Sequence, residues 1–145
     1  MFVQGYLIRI AVPKLGLRRT GIMGLGFNLI AFVGYAYAET TLLAFFFLVP
    51  GALGALASPA MNGIASSQMG PDLQGDLQGA MGSMGSLTSV ISPPVMTMTF
   101  GIFSDGSMGA YFPGAPFILA AFLTLLSILL FVKTTTGFTI AEQVT

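Results

Sequence analysis

The chain has 145 residues, of which 54% are hydrophobic and only 7% are charged, and its five basic residues cancel its five acidic residues. A water-soluble domain carries about 25% charged residues, so most of this surface has to face lipid or other lipid-embedded helices. The balanced charge gives no reason to expect nucleic-acid binding. Cysteine and histidine are both absent, which removes disulfides, thiol nucleophiles and the commonest metal ligand. We therefore expect neither an enzyme nor a cofactor.

Apolar segments of spanning length recur along the chain. Residues 1–12 form a short apolar piece that resembles the end of a helix, and residues 13–20 form a basic loop. A spanning helix needs about 20 predominantly apolar residues. The sequence predicts four such helices, over residues 21–38, 41–65, 77–104 and 115–132, and then a polar tail over 133–145. These features predict an all-α, multi-pass membrane protein with four full spans and an N-terminal half-helix.

Basic residues mark one side of the predicted membrane protein. A cluster precedes the first full span and consists of Arg9, Lys14, Arg18 and Arg19. The positive-inside rule places this cluster in the cytoplasm, and counting spans puts Glu39 outside and Lys133 inside. We expect the chain to lie in the inner or plasma membrane. The basic cluster either sets this topology alone or also pairs with acidic partners to hold one state of a moving protein.

Small residues recur at helical spacing within two of the predicted spans. The stripe in the third span consists of Gly75, Gly79, Gly82, Ser86 and Ser89, and the stripe in the second consists of Gly51, Ala55, Ser58 and Asn62. Such stripes let helices approach closely, either as fixed packing seams or as surfaces on which helices slide. Prolines interrupt the same spans, at Pro50, Pro59, Pro93 and Pro94. Kinked, glycine-rich helices around a cavity are typical of transporters.

Two amides lie within predicted spans, where a polar side chain has to find a partner. Asn28 and Asn62 either form hydrogen bonds between helices or line a substrate path. Met84 and Thr88 of the third predicted span are further candidates for such a path. A methionine adapts to varied ligands but also fills packing gaps, and a threonine in a helix can bond back to its own backbone.

The N-terminal stretch "GYLIRIAVPKLGLRR" resembles the basic loop between the second and third helices of each half of major facilitator superfamily transporters. The matching positions are Gly5, Arg9, Lys14, Gly16, Arg18 and Arg19. In that family the loop acts in conformational gating, which the resemblance implies for these residues.

The stretch "SPAMNGIASSQMGPDLQGDLQGAMGSMGSLTSVISPPV" resembles the "P-A-x-x-G … Q-G-x-L-Q-G … L-T … I-G-P-P" pattern of the tetracycline-resistance-type branch of that superfamily. The motif positions are Pro59, Gly63, Gln74, Gly75, Gln78, Gly79, Pro93 and Pro94. By this resemblance, Gln74 and Gln78 would hydrogen-bond the neighbouring loop and position the helix that follows.

The resemblance implies a C-terminal fragment of a twelve-helix transporter, from within the eighth helix to the twelfth. Its expected partners are the lipid bilayer, a small-molecule substrate and the remaining helices of the longer transporter. The implied activity is export of drug-like molecules, tetracycline-like compounds among them, by proton antiport and alternating access. The four predicted spans contain no Asp, Glu, His, Lys or Arg, so the coupling carboxylates would lie in other helices.

Two alternatives treat the chain as a stand-alone small membrane protein. One is an oligomeric exporter, but the small multidrug resistance proteins rely on an early membrane-embedded glutamate that this chain lacks. The other is a non-transporting scaffold, which the glycine stripes permit. The paired prolines and the Q-G-x-L-Q-G stretch favour a transporter origin.

Overall fold

The chain folds entirely into helices over the residues that its structure describes. The computed structural model gives the backbone of residues 2–104 and 111–135, with side chains from residue 12 onward apart from residue 14. The helices are α1 Phe2–Ala36, α2 Thr41–Gly54, α3 Ala57–Ser67, α4 Gln74–Ser104 and α5 Ala115–Thr134, and a short 3-10 turn at Pro71–Leu73 leads into α4. The prediction of an all-α membrane protein is confirmed.

The basic segment at residues 13–20 is helical, and its prediction as a loop was wrong. Helix α1 runs through the whole segment, including Pro13, and its only non-helical residue is Gly16. Gly16 has φ 79° and ψ 159°, a backbone region open essentially to glycine alone. The chain therefore breaks the helix at one residue instead of unwinding it over eight. The side chains of Arg9 and Lys14 lie outside the described residues. The predicted gating role of Gly5, Arg9 and Lys14 therefore stays a prediction.

The second predicted span is divided into α2 and α3, with a break at residues 55–56. The cause lies in Pro59, which has no N–H to donate to the carbonyl four residues earlier and whose ring crowds that carbonyl. Pro50, in contrast, lies inside α2. Helix α4 likewise continues through Pro93 and Pro94, in agreement with the single span predicted over 77–104, and the predicted bend at these prolines stays a prediction.

Three helical segments of the described chain are long and apolar enough to cross a bilayer. They are Thr41–Ser67, which joins α2 and α3, then Pro71–Ser104 and Ala115–Thr134. The first predicted span, 21–38, forms the C-terminal half of α1 and is not among them. The number of four full spans is therefore not confirmed. The third and fourth predicted spans extend slightly beyond their predicted limits, since α4 starts at Gln74 and α5 ends at Thr134.

Helix α1 is the centre of the packed region, because α2, α3 and α5 all lie against it. The buried apolar side chains are mostly small, and they are Leu25, Ala31, Ala36, Leu56, Ala57, Ala60, Ile64, Ala115 and Ala121. Large apolar side chains point outward instead; Leu42 is 84% exposed and Phe46 is 70% exposed. Small residues inside and large apolar residues outside suit a protein surrounded by lipid, since helix packing in a bilayer relies on small interfacial residues.

Glycines on α1 bring its backbone against α2 and α3. A Cβ added at Gly24 would lie 2.5 Å from the backbone nitrogen of Ala57, and one added at Gly34 would overlap the ring of Phe47. Gly63 on α3 similarly lies against Leu17, whose side chain would be 2.9 Å from an added Cβ. The close-packed seam of the described chain therefore runs between α1 and the α2–α3 pair.

Helix α4 contributes little to this seam. None of its residues is buried, and a Cβ added at Gly75, Gly79 or Gly82 would meet no described atom within 4 Å. No described helix covers the predicted small-residue stripe of α4 at these glycines, so its role as a packing seam or a sliding surface stays a prediction. The stripe is an open, smooth surface along one side of α4.

Replacing Gly24 by alanine tests the seam between α1 and α3. The added methyl group would overlap the backbone of Ala57, so we expect the free energy of unfolding to fall by about 1–3 kcal/mol. Loss of helical circular dichroism during titration with SDS in mixed micelles measures this change.

The matched control is Gly26→Ala on the same helix, where an added Cβ has nothing within 4 Å. We expect this variant to be unchanged or up to about 1 kcal/mol more stable, because alanine favours the helix over glycine. Equal stability of the two variants would contradict the proposed close approach.

Candidate functional site

The break between α2 and α3 creates the main polar feature inside the packed region. A helix break frees backbone carbonyls, which in a membrane have to be satisfied by the protein itself. The Nδ2 of Asn28 on α1 donates to the carbonyl oxygen of Gly54 at 3.2 Å. Gly54 is buried, and a Cβ at this position would overlap the Oδ1 of Asn28. The glycine thus makes room for the amide that satisfies the broken helix.

A cavity of about 330 Å³ lies beside this break. It is lined by Leu25, Asn28, Gly54, Ala55, Ala57, Ser58, Met61, Asn62 and Met81. Helices α1, α2 and α3 form most of the wall, and α4 closes one side through Met81. We call this space the break cavity. Its wall combines two amides and a hydroxyl with thioether and aliphatic groups.

The two asparagines predicted for a substrate path lie together at the break cavity. Asn28 is engaged with Gly54, whereas the half-buried Asn62 has no hydrogen-bond partner among the described residues. Met84 and Thr88 do not line the cavity. Both side chains are exposed on α4, and the hydroxyl of Thr88 donates to the carbonyl of Met84 at 2.8 Å. A role for these two residues in a path stays a prediction.

Met61 and Met81 are wall residues that the predicted path did not include. Ser58, Met61 and Asn62 follow the i, i+3, i+4 spacing of one helix face. A path that includes Asn62 therefore also predicts Met61 as a wall residue. Ala55 and Ser58 belonged to the predicted small-residue stripe of the second span, and that stripe faces the break cavity. Met81 had no comparable sequence signal, because its position depends on how α4 lies against the other helices.

Gln74 joins the end of α3 to the start of α4. Its Oε1 accepts from the hydroxyl of Ser66 at 2.8 Å, and its Nε2 donates to the carbonyls of Ser66 at 2.8 Å and Met69 at 3.1 Å. One side chain therefore holds the intervening turn closed. Gln78 is exposed and has no such bond among the described residues. The structure thus gives the first glutamine of the Q-G-x-L-Q-G stretch a loop contact and leaves the second free.

The Gly16 break forms a third feature, at the end of the bundle that carries the basic residues. The hydroxyl of Thr20, which is 1% exposed, donates to the carbonyl of Gly16 at 2.8 Å. Nε of Arg18 donates to the Oγ1 of Thr135 at 3.1 Å and so links α1 to the end of α5. Arg19 is exposed. The described cations Arg18, Arg19 and Lys133 therefore lie at one end of the bundle.

The chemistry open to the break cavity follows from its wall. No ionisable side chain is among the residues that line it, and the described residues contain no cluster of three potential metal ligands. Free amide, hydroxyl and thioether groups suit hydrogen bonding and adaptable apolar contact with a neutral or weakly polar small molecule. They do not suit proton transfer or hydrolysis.

Several curated proteins are similar to this chain over part of their length. The class C tetracycline resistance protein of Escherichia coli is 29% identical over 97 residues, which cover 67% of this chain and 24% of that protein. The hippocampus abundant transcript-like protein 1 of Rattus norvegicus is 25% identical over 130 residues, or 80% of this chain and 26% of that protein. Its human counterpart is 24% identical over 140 residues, or 87% of this chain and 28% of that protein.

The chain thus spans about a quarter of the length of the curated relatives that it matches. No protein-family profile matches the chain, and no solved structure matches it. The partial similarities agree with the major facilitator resemblance found in its motifs, and the apolar helices agree with a membrane location.

Replacing Asn28 by leucine tests the hydrogen bond across the helix break. The variant leaves the Gly54 carbonyl without this donor, so we expect the free energy of unfolding to fall by about 1 kcal/mol. Asn62→Leu is the matched control, because it makes the same chemical change at the same cavity without breaking a hydrogen bond to a described residue. SDS titration in mixed micelles measures both, and equal losses would contradict the bond's role.

Replacing Gln74 by alanine tests the closed turn between α3 and α4. The change removes three hydrogen bonds, so we expect amide hydrogen exchange over residues 66–74 to accelerate by about tenfold. Gln78→Ala, one helical turn later, is expected to leave that exchange unchanged. Mass spectrometry of exchanged peptides gives the measurement, and similar rates in both variants would show that Gln74 does not hold the turn.

Proposed function

We propose that this chain forms part of a secondary membrane transporter of the major facilitator type. In this proposal the whole transporter exports drug-like small molecules, tetracycline-like compounds among them, by proton antiport and alternating access. The observation that carries the proposal is the break cavity, where a divided span and the free amide of Asn62 meet. Interrupted helices around a cavity inside the membrane are characteristic of secondary transporters.

Two further features support movement around this cavity. The Gly16 break and the turn held by Gln74 both lie where a helix direction changes, and each is bridged by a few local hydrogen bonds. Such positions can absorb backbone rotation while the helices on either side stay intact. We infer that they act as the hinges of the proposed alternating access, with Arg18 tying α1 to α5 in one state.

The proposal places proton coupling in helices other than those of this chain. The residues that line the break cavity carry no titratable group, and proton-coupled transport needs an ionisable group in or near the path. In the proposed transporter, this chain contributes the wall that contacts the substrate. The thioethers of Met61 and Met81 would adapt to the apolar part of a drug, and the amide of Asn62 would meet its polar part.

A chimaera tests this function. In it, the chain replaces the segment of the Escherichia coli class C tetracycline resistance protein to which it is similar. We expect energised cells that carry the membrane-inserted chimaera to accumulate less tetracycline than cells with an empty vector. Cells that carry the 145-residue chain alone are expected to match the empty vector. A chimaera that inserts at normal levels without lowering accumulation would count against the proposal.

A stand-alone oligomeric exporter is the second candidate, and the bare surface of α4 favours it. Gly75, Gly79 and Gly82 meet no described atom, so a second copy could pack along this helix as closely as α1 packs on α3. The chimaera experiment separates the two functions, because this candidate expects export by the chain alone.

Cysteine labelling tests whether the break cavity is open to water, as a substrate path has to be. The chain has no native cysteine, so single substitutions report without background. We expect a water-soluble maleimide to label Asn62→Cys in intact membranes and to leave Leu126→Cys unlabelled until SDS is added. Leu126 is a suitable control because it is 44% exposed on α5, where the proposed surroundings are lipid. Equal labelling of both variants would argue against an aqueous path.

A further inference from the structure

A second cavity lies at the opposite end of the bundle from the basic residues. Its volume is about 530 Å³, and it opens where α1 ends and α5 begins. Aromatic rings and one carboxylate dominate its wall, through Tyr35, Tyr37, Glu39, Tyr111, Phe112 and Phe117. We call this space the aromatic pocket. It shares no residue with the break cavity.

The aromatic rings are held in pairs across the junction of the two helices. The ring centroids of Tyr35 and Phe117 are 5.6 Å apart with an interplanar angle of 47°. Those of Tyr37 and Phe112 are 5.7 Å apart at 52°. Tilted pairs at this distance are favourable. They also leave ring faces available, since Tyr37 is 62% exposed and Phe117 is 41% exposed.

The backbone fixes the position of both walls. A Cβ at Gly114 would overlap the carbonyl oxygen of Ala36, so only glycine lets the start of α5 approach the end of α1 this closely. The N–H of Phe112 donates to the carbonyl of Phe103 at 2.9 Å and anchors the segment before α5 to the end of α4. Backbone contacts therefore hold the two walls of the pocket in place.

The charge at the aromatic pocket is negative. Glu39 lines it, and no described basic side chain forms an ion pair with that carboxylate. Arg18 contacts Thr135 at the far end of α5, a helix of 20 residues that is about 30 Å long at 1.5 Å per residue. The described cations are too far away to neutralise Glu39, because that distance exceeds the Debye length of about 8–10 Å.

We propose that the aromatic pocket binds a lipophilic organic cation through the faces of its paired rings and the carboxylate of Glu39. Ring faces attract cations by about 0.5–1 kcal/mol even at exposed sites. A volume of about 530 Å³ with an apolar wall suits a quaternary ammonium or phosphonium ion. A single carboxylate among the lining residues does not suit a metal ion, which needs several oxygen ligands. The inference concerns binding by this chain and is independent of the proposed transport.

Equilibrium dialysis against labelled tetraphenylphosphonium tests this site. The 145-residue chain is placed in nanodiscs of zwitterionic lipid, and empty nanodiscs correct for partition of the probe into lipid. We expect saturable binding that Glu39→Gln and Tyr37→Leu each weaken by about fivefold, the effect of losing about 1 kcal/mol of cation attraction. Tyr37→Phe keeps the ring and is expected to bind like the original chain.

Two controls make the result specific. Asp72→Asn removes an exposed carboxylate at the α3–α4 turn and is expected to leave binding unchanged. Triphenylphosphine oxide, a neutral analogue, is expected to compete poorly. Circular dichroism confirms that each variant keeps its helices.

The proposal is overturned if binding does not exceed that of empty nanodiscs. It is overturned equally if the neutral analogue competes as well as the cation, or if Glu39→Gln and Asp72→Asn bind alike. Should Tyr37→Leu lose its helical signal, the comparison of Glu39→Gln with Asp72→Asn still decides the result.

Discussion

The need to satisfy a broken helix within a lipid environment shapes the packed part of this protein. Pro59 interrupts the helical hydrogen bonding between α2 and α3, and lipid tails offer no donor to the carbonyls that the break leaves free. Asn28 supplies a donor to one of them, at Gly54. This bond requires α1 to lie close against the break, which the small residues at Gly24 and Ala57 permit. The break cavity is the space that remains beside this contact.

The two ends of the bundle have opposite chemical character. One end carries the described cations, with Arg18 bound to the hydroxyl of Thr135. The other end carries paired aromatic rings and Glu39 around a cavity. Basic residues on one side and aromatic residues near the surface are both expected of a protein oriented in a membrane. In this chain the aromatic rings also enclose the aromatic pocket. Rings that only anchor a protein at the membrane surface need no such pocket.

Helix α4 differs from the other helices because its smooth surface has no partner among the described residues. Its sequence contains the glycine spacing that usually marks a packing seam, yet the seam of the described chain lies between α1 and the α2–α3 pair. Two different uses of glycine follow. On α1 a glycine allows an existing backbone contact, whereas on α4 the glycines offer a surface that another helix could cover.

The sequence by itself determined the all-helical membrane character, because few charges and long apolar segments leave no other solution for the backbone. It also predicted that Asn28 and Asn62 lie within apolar helices and, by a motif resemblance, that Gln74 and Gln78 contact a loop; the described side chains confirm the loop contact for Gln74. It could not determine that Gly16 breaks a helix at a single residue, because neighbouring turns decide how a glycine is accommodated. The pairing of Asn28 with Gly54, the approach of Met81 to the break cavity and the meeting of Tyr35 with Phe117 join residues far apart in the chain. Only the tertiary structure decided these contacts, because packing between helices carries no local periodic signal.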